Sequence, residues 1–315
     1  MKKVLLTLAA VATLAACSTE KTMDFAKDAI AFDNAFVDNA TKSVSDPSYT
    51  NTKLFGDFAV FGFVEGAVLF NEKPVTGSGI NGTWTYSGTQ YWIEGAKYNF
   101  AAVAPYTDRA WSVTSFAKGE TNLSFTNSGT QDVLYAQPTE ITAEATGNEK
   151  VAFTFRHILS KVKFSFENKY IADNTTIRVR DIKILNAHAA GNVKLTSGEP
   201  VWSDQDGTLV LEFGNAATNA VDALEPMAHN AVVESYNELL LIPGAVTNDY
   251  TVQFTYDILV GGTKVKEFTK TSNVDFDPAP GKAYDFKASI TPGQAIEFTV
   301  SEVKGWDTTP GEDTM

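Results

Sequence analysis

Few residues of this 315-residue sequence have the types and spacing that chemistry requires. The histidines, His157, His188 and His229, stand apart, and none is two or four positions from another histidine or a cysteine, so metal-ligand spacing is missing. His157 directly precedes an alternating segment, and we interpret it as a hydrogen-bonded structural histidine. Residues 204–207 resemble the start of a calcium loop, but the glutamate that would close the loop is missing, which favours a turn.

The common sequence motifs of enzymes are missing as well. The sequence contains no Gly-x-Ser-x-Gly turn, no phosphate-binding glycine loop and no dinucleotide fingerprint. The paired carboxylates of a glycoside hydrolase meet in space and not in sequence, so a surface hydrolase stays open, although nothing selects a pair. We therefore predict a protein that is not an enzyme and that uses no cofactor and no metal.

The single cysteine suggests a different chemistry. A short basic start is followed by an apolar stretch, residues 4–16, that is too short to cross a bilayer as a helix. Leu14-Ala15-Ala16-Cys17 resembles the bacterial lipobox, in which the cysteine thiol is acylated and becomes the new N-terminus. We expect a signal peptide at residues 1–16, lipidation of Cys17 and a lipid-anchored linker at residues 17–28. The alternative is an ordinary secretory signal with Cys17 near its cleavage site by chance.

Composition and charge restrict both the fold and the partners. The sequence is 43% hydrophobic and 20% charged, which is enough apolar material for a core. Its 38 acidic residues outnumber 25 basic ones and give a formal net charge of −13, so the phosphates of a nucleic acid would be repelled and nucleic-acid binding is excluded. Phenylalanine and tyrosine are abundant, with 21 and 11 residues, which favours sheets over helical bundles. The composition predicts an all-β protein.

Alternating polar and apolar residues predict strands along most of the chain. Residues 250–258 place every second side chain on one apolar face, and Gly261-Gly262 then predicts a hairpin turn before residues 265–268. Similar alternation occurs at three further sets of residues: Val162, Phe164 and Phe166; Tyr284, Phe286, Ala288 and Ile290; and Ile296, Phe298 and Val300. Each of these segments is therefore expected to bury one face of a sheet.

Other segments depart from this alternation. Residues 58–64 and 239–242 are apolar on both faces, which is typical of central strands that are covered on both sides. Residues 215–223 are a weak helix candidate. The polar stretch at 142–150 predicts a domain boundary near residue 150, between an N-terminal β-sandwich domain at 29–150 and a C-terminal one at 151–315.

An aromatic cluster, Trp84, Tyr86, Tyr91 and Trp92, has two interpretations. Flat aromatic faces stack on sugar rings, so Trp84 and Trp92 are candidate glycan contacts. The same residues can instead fill one face of a sheet, which is favoured because Trp84 and Tyr86 share a face and the surrounding glycines fit turns. Solvent exposure of the two tryptophans distinguishes the interpretations.

Five segments, in order along nearly the whole chain, resemble the fimbrillin family of Bacteroidetes surface lipoproteins. They are the region from Trp84 to Tyr106, Phe155-Arg156-His157-Ile158-Leu159-Ser160-Lys161-Val162, Leu239-Leu240-Leu241-Ile242-Pro243, Pro280-Gly281-Lys282-Ala283-Tyr284 and Val303-Lys304-Gly305-Trp306-Asp307. The resemblance implies two tandem transthyretin-like β-sandwich domains and a type V pilus subunit or adhesin at the outer membrane. It also implies donor strand exchange: an arginine-specific protease cuts after an N-terminal strand, and the vacated groove accepts a strand from the next subunit.

Three groups of residues correspond to parts of that mechanism. Ile30, Phe32 and Phe36 share the face that would fill such a groove, although the same pattern fits a permanent first strand. The first arginine after the signal peptide is Arg109, so Lys42 is the candidate processing site unless the subunit stays unprocessed as an anchor or accessory protein. Residues 296–303, with Ile296, Phe298 and Val300, are the candidate donor strand or the last strand of the second domain.

The sequence thus predicts a structural or adhesive pilus subunit that binds other pilus subunits in a homo- or heteropolymer. Outer-membrane lipid attached through Cys17 is its second expected partner, and a host or glycan ligand stays open as a third. The alternative is a glycan-binding outer-membrane lipoprotein of a polysaccharide-uptake system, in which Trp84 and Trp92 would be exposed.

Overall fold

The computed structural model describes residues 29–37, 57–77, 83–145, 148–214, 224–244 and 249–303. The regular secondary structure of these residues consists of β-strands. Nineteen strands, numbered in chain order, form four sheets, which confirms the all-β prediction. The helix candidate at 215–223 lies outside the described residues. Across the described ranges no helix has the length and apolarity needed to span a membrane.

Two sheets build the N-terminal sandwich. The larger has six strands in the order β1 (Phe32–Val37), β8 (Val151–His157), β7 (Leu134–Thr142), β4 (Lys97–Ala104), β2 (Asp57–Val64) and β3 (Ala67–Thr76). The smaller has four strands in the order β12 (Val201–Asp206), β11 (Ala190–Leu195), β6 (Glu120–Thr126) and β5 (Trp111–Ala117). All neighbours are antiparallel except β1 and β8, which run parallel.

Two further sheets build the C-terminal sandwich. One has the order β13 (Leu209–Glu212), β10 (Thr175–Ala187), β16 (Asp249–Val260) and β17 (Thr263–Asp275). The other has the order β14 (Val232–Glu234), β9 (Ser160–Asn168), β18 (Ala283–Ile290) and β19 (Phe298–Val303), and β15 (Leu239–Leu241) also pairs with β9. The predicted hairpin at Gly261-Gly262 is confirmed, because β16 and β17 are paired along their lengths on either side of these glycines.

Strand β2 is covered on both faces, as its apolar sequence predicts. Phe58 and Val60 lie in one core with Trp84 and Trp92, while Ala59 and Phe61 lie in a second core beneath the four-stranded sheet. The six-stranded sheet therefore has a core on each face, and β2, which lies between β4 and β3, is buried over most of its length.

The predicted boundary near residue 150 requires a correction. Strand β8 begins at Val151, yet it pairs with β7 and β1 and contributes Phe153 and Phe155 to the N-terminal core. Strands β11 and β12, at residues 190–206, likewise complete the four-stranded sheet beside β6. The polar stretch before residue 150 is a connection between neighbouring strands of one sheet, and chain from both sides of it builds the N-terminal sandwich.

Strand β15 joins the two sandwiches. Leu239 and Leu241 lie in the C-terminal core, while Leu240 and Ile242 lie in the core between the two N-terminal sheets. The main chain adds a hydrogen bond of 2.8 Å from the Leu240 N–H to the Gly129 carbonyl. The prediction that residues 239–242 are covered on both sides is confirmed, since all four are nearly inaccessible to solvent.

Candidate functional site

The first strand occupies an edge of the six-stranded sheet. Within the described residues β8 is its one sheet neighbour, and the parallel register aligns Phe32 with Val151 and Val37 with Phe155. An edge strand can be removed without breaking any other pair of strands, and its removal exposes the backbone N–H and C=O groups of its neighbour. The place of β1 is therefore the candidate functional site.

Phe32 fills an aromatic pocket. Its ring lies 5.4 to 6.3 Å, between ring centroids, from five other aromatic rings: Phe58, Phe70, Tyr86, Phe100 and Phe153. The side chain is 2% exposed, and Ile30, two residues earlier, is 1% exposed. Edge-to-face and offset ring pairs each add to the free energy of burial. These contacts anchor Phe32, the first residue of β1, in the core on this face of the sheet.

A tyrosine hydroxyl holds the backbone that leads into β1. Tyr86 donates a hydrogen bond of 2.8 Å to the Ile30 carbonyl and accepts one of 3.1 Å from the Gln90 N–H. The Ile30 N–H in turn donates to the Gln90 carbonyl at 2.8 Å. Burial raises the pKa of the Tyr86 hydroxyl against the effect of the Gln90 hydrogen bond, so the group keeps the proton that it donates. We call these two residues, Tyr86 and Gln90, the clasp. Both hydrogen-bond to the main chain of Ile30.

The pairing of β1 with β8 is irregular before Phe36. Strict alternation would place Phe36 on the face of Ile30 and Phe32, but the register of β1 shifts between Asp33 and Ala35. Beyond this irregularity Ala35 and Val37 are in register with the buried Phe153 and Phe155, while Phe36 is in register with the exposed Thr154. A bulge of this kind inserts one residue and inverts the alternation after it.

The candidate donor strand lies at another sheet edge. Strand β19 pairs with β18 and is the outermost strand of its sheet among the described strands. None of its residues is fully buried, although Phe298 packs against the rings of Phe164, Phe166 and Phe254. Ile296, just before the strand, is 7% exposed, and Val300 is partly buried against the same core. In this structure residues 298–303 complete their own sandwich.

The two candidate glycan contacts are buried, which corrects that prediction. Trp84 and Trp92 are each 5% exposed. The Trp84 ring packs against Phe58 at 5.0 Å, and the Trp92 ring packs edge-on against Tyr98 at 4.7 Å. Neither ring offers a free face to a sugar. The structure supports the packing alternative. Both tryptophans lie in the core on the face of the six-stranded sheet that also contains Phe32.

His157 is a structural residue, as predicted. Its side chain is buried, and its Nδ1 is hydrogen-bonded to the Asp132 carboxylate. His188 is partly buried, and burial lowers its pKa against the effect of Asp206. Over the described residues no three His, Cys, Asp or Glu side chains gather in a way that could hold a metal ion.

The buried carboxylates Asp257 and Asp285, like the buried Asp57, were not predicted from the sequence. Asp257 of β16 accepts a hydrogen bond of 2.8 Å from Arg178, and Asp285 of β18 accepts one of 2.8 Å from Ser165. Burial would raise the pKa of Asp257, but hydrogen bonds from Arg178 and Arg180 bring it below its ordinary value. Burial raises the pKa of Asp285, and Ser165 and nearby lysines only partly oppose this effect. Both alternate with core residues on their strands, so they lie on the outer faces of two different sheets and form no catalytic pair.

Arg109, the first arginine after the signal peptide, is held in the fold. Its guanidinium group pairs with Glu72 and stacks over the rings of Tyr106 and Trp111, at 4.7 and 4.4 Å from their centroids. The sequence has three other arginines, Arg156, Arg178 and Arg180, and all three lie in strands. Lys42 and Cys17 lie outside the described residues.

Comparisons with known proteins agree with this architecture. A family model described as fimbrillin-like matches residues 16–306. No curated protein matches the sequence. A candidate cell adhesion protein from Bacteroides uniformis is similar in structure, with a TM-score of 0.50 and 16% identity over 88% of this chain and 97% of the other. A second, from Bacteroides ovatus, has a TM-score of 0.53 and 13% identity over 90% and 99%. At such identities the structures show a shared fold.

Proposed function

The chain belongs to the fimbrillin-like family, and from this premise we propose that it is a pilus subunit that assembles by exchanging its first strand for a strand of another subunit. The family is one of adhesion proteins and not of enzymes. We further propose that the protein is exported as a lipoprotein, acylated at Cys17, and reaches the cell surface at the outer membrane. Its partners are then other pilus subunits and, before assembly, the membrane lipid.

The environment of Phe32 is the observation that carries this proposal. Phe32 reaches five aromatic rings from a strand with a single sheet neighbour, so β1 combines a deeply buried side chain with backbone pairing on one side only. Loss of β1 would leave this pocket empty and the outer edge of β8 unpaired. Both costs are relieved when another extended segment with a suitable aromatic residue enters, which is the physical basis of β-strand addition.

Release of β1 requires a cut in the chain after the strand. No arginine lies between the signal peptide and Arg109, and Arg109 itself is engaged by Glu72 and two aromatic rings. We propose cleavage after Lys42, five residues beyond the end of β1, by a lysine-specific protease. A subunit that is never cut would keep β1 and its lipid, and would act as the anchor or an accessory subunit of a filament.

Limited digestion tests this proposal. A lysine-specific protease is expected to cut the purified full chain after Lys42, and the cut protein is expected to form a ladder of oligomers on a native gel as β1 leaves. The variant Lys42→Gln is the matched control and is expected to stay monomeric under the same digestion. A cut protein that retains residues 29–42 and stays monomeric at every concentration would contradict strand exchange in favour of the uncut anchor.

A further inference from the structure

The edge strand β17 carries an aromatic ring between two lysines. Lys266, Phe268 and Lys270 alternate along the strand, so their side chains lie on one face of the sheet. Their register partners on β16 belong to the C-terminal core and are Ile258, Tyr256 and Phe254. Phe268 and Lys270 are partly buried and Lys266 is exposed. These three residues, which we call the β17 stripe, therefore lie at the margin of the core.

The two ammonium groups of the β17 stripe converge on its ring. The Nζ of Lys266 lies 4.7 Å from the centroid of Phe268, and the Nζ of Lys270 lies 5.8 Å from it. The buried ring of Tyr256 is nearly parallel to that of Phe268, with 5.1 Å between the centroids, and covers its core side. The lysines are thus held at the side of the Phe268 ring that faces away from the core, where the π electrons attract a cation.

The two lysines of the stripe have no counter-charge. Neither ammonium group pairs with a carboxylate among the described residues of the chain. Glu267, which lies between them in the sequence, is on the other face of the strand and pairs with Lys264 and Arg180. Two like charges near one ring repel each other, and an anion placed between them would be attracted by both. The stripe is a local positive site on a chain whose formal net charge is −13.

The free edge of β17 indicates which kind of anion fits. The strand has no neighbour on its outer side among the described strands, so main-chain N–H and C=O groups on that side can bond to a ligand. Lysines on an edge strand oppose pairing with a further protein strand. A sugar needs no strand pairing, because its C–H face packs on an aromatic ring and its hydroxyl groups bond to main-chain groups.

We propose that the β17 stripe binds an acidic sugar, a pyranose ring with one carboxylate, as a terminal or branch unit of a glycan. The sugar packs on the outer side of Phe268, and its carboxylate lies between the ammonium groups of Lys266 and Lys270. A single carboxylate senses these two charges at short range, because acidic groups farther away than about 8 Å are screened at physiological ionic strength. A nucleic acid carries a phosphate on every nucleotide and would meet the acidic surface of the whole chain.

The proposed pilus function gives a weak site of this kind a use. One exposed ring face and two surface lysines make few contacts, so a single site is expected to bind with millimolar affinity. A filament repeats the site once in every subunit, and its binding to a glycan-coated surface gains from multivalency. The inference rests on the proposed function for this gain, while the sugar contact belongs to each subunit by itself.

Ligand-observed NMR with the purified, uncut chain tests the site. The probes are methyl β-glucuronide and methyl β-glucoside, which differ only in that the first has a carboxylate where the second has a hydroxymethyl group. The glucuronide is expected to bind at least about tenfold more tightly, because its carboxylate contacts two ammonium groups. Equal binding of the two sugars would overturn the proposal.

Acetate separates a sugar site from a general anion site. It has the carboxylate and no ring, so it is expected to compete at least about tenfold less well than the glucuronide. Competition as strong as that of the glucuronide would mean that the stripe binds an adventitious ion only. A peptide of alternating glutamate and serine that binds more tightly than the glucuronide would replace the sugar by an acidic protein segment, and would overturn the proposal as well.

Variants within β17 make the test specific. Lys266→Gln combined with Lys270→Gln is expected to abolish the preference for the glucuronide over the glucoside. Phe268→Leu keeps an apolar side chain against Tyr256 but removes the ring, and is expected to weaken the binding of both sugars. Lys264→Gln is the matched control on the same strand, because Lys264 pairs with Glu267, and its binding of the glucuronide is expected to be unchanged.

Two results with these variants would contradict the site. One is a double lysine variant that still prefers the glucuronide, and the other is a loss of binding in Lys264→Gln as large as in the double variant. Urea unfolding of each variant shows that it is folded, so that a loss of binding reports on the stripe. All measurements use the uncut monomer, and their failure would leave strand exchange and the proposed pilus function intact.

Discussion

The hydroxyl group of Tyr86 lies 2.8 Å from the carbonyl oxygen of Ile30, although the two residues are 56 positions apart in the sequence. The contact ties the chain just before β1 to the segment that also contains Trp84 and Trp92. Because it acts on a main-chain oxygen, any strand in this place can use it. The clasp is therefore expected to control how firmly a strand is held without selecting its side chains.

Replacement of Tyr86 by phenylalanine tests the clasp. The variant Tyr86→Phe removes the hydrogen bonds to Ile30 and from Gln90, which should lower the free energy of unfolding by about 1 to 3 kcal/mol. After cleavage at Lys42, release of the fragment 29–42 should be faster, as measured by size-exclusion chromatography over time. Tyr98→Phe is the matched control, since the hydrogen bonds of the Tyr98 hydroxyl join it to the main chain of Ile93 and Tyr91 and not to Ile30. Equal release rates for the two variants would contradict a role in holding the strand.

Truncation of Trp92 tests its structural role. Trp92→Ala removes a buried ring that packs on Tyr98 and Phe100, so we expect it to lower the free energy of unfolding by about 3 to 5 kcal/mol. Urea unfolding followed by circular dichroism measures this loss. Truncation of the exposed Tyr236 is a comparison, with an expected change of less than about 1 kcal/mol. Unchanged stability of Trp92→Ala would contradict the structural role and favour the interpretation of Trp92 as a glycan contact.

Replacement by asparagine is expected to change the stability in opposite directions at two of the buried aspartates, Asp257 and Asp285. The folded chain holds the Asp285 proton to a higher pH than the unfolded chain does, so stability falls as the pH rises from the ordinary carboxyl range to that raised pKa. Asp285→Asn removes this cost and should raise the melting temperature at pH 7, and its advantage should vanish below about pH 4.

Asp257 has the opposite dependence on pH. Its lowered pKa contributes stability above the ordinary carboxyl range, and this contribution is lost as the pH falls through the folded-state pKa. Asp257→Asn weakens the contacts with Arg178 and Arg180 and should cost about 1 to 3 kcal/mol at pH 7, with a smaller effect in acid. Melting temperatures of both variants between pH 3 and 8 measure the contrast. Changes of melting temperature with the same sign at pH 7 would contradict the direction of the pKa shift of one of the two carboxyl groups.

The lipid anchor is tested by the variant Cys17→Ser. Acylation of Cys17 is the one hydrophobic attachment that the sequence predicts, so the variant should leave the membrane fraction, and cell fractionation with immunoblotting should detect it in the soluble fraction. Ser18→Ala is the matched control and should stay with membranes. Retention of Cys17→Ser in the membrane fraction after a salt wash would contradict lipidation at this position.

Much of the architecture could be predicted from the sequence because burial follows alternation. The strands around Phe164, Phe254 and Phe286 bury the predicted faces, and residues 58–64 and 239–242 are covered on both sides as their composition indicates. These features depend on neighbours within one strand. The Phe32 anchor could be proposed for the same reason, since Ile30 and Phe32 follow the pattern of a buried face.

Features that depend on contacts between distant segments could not be predicted in this way. The bulge between Asp33 and Ala35 follows from pairing with β8, more than 100 residues away, and no turn or proline marks it in the sequence. The boundary at residue 150 failed for the same reason, because a polar connection within one sheet has the composition of a linker between domains. Asp257 and Asp285 alternate with core residues, as exposed side chains do, and only their neighbours across the sheet bury them.

Strand β15 has a mechanical consequence for a filament of such subunits. Leu239 and Leu241 are embedded in one sandwich and Leu240 and Ile242 in the other, so bending the subunit at this junction would pull apolar side chains out of two cores at once. A flexible tether would let each sandwich reorient under load, whereas a shared buried strand transmits tension from one end of the subunit to the other. The flexibility of the filament would then come from the contacts between successive subunits, and each subunit would move as a rigid body.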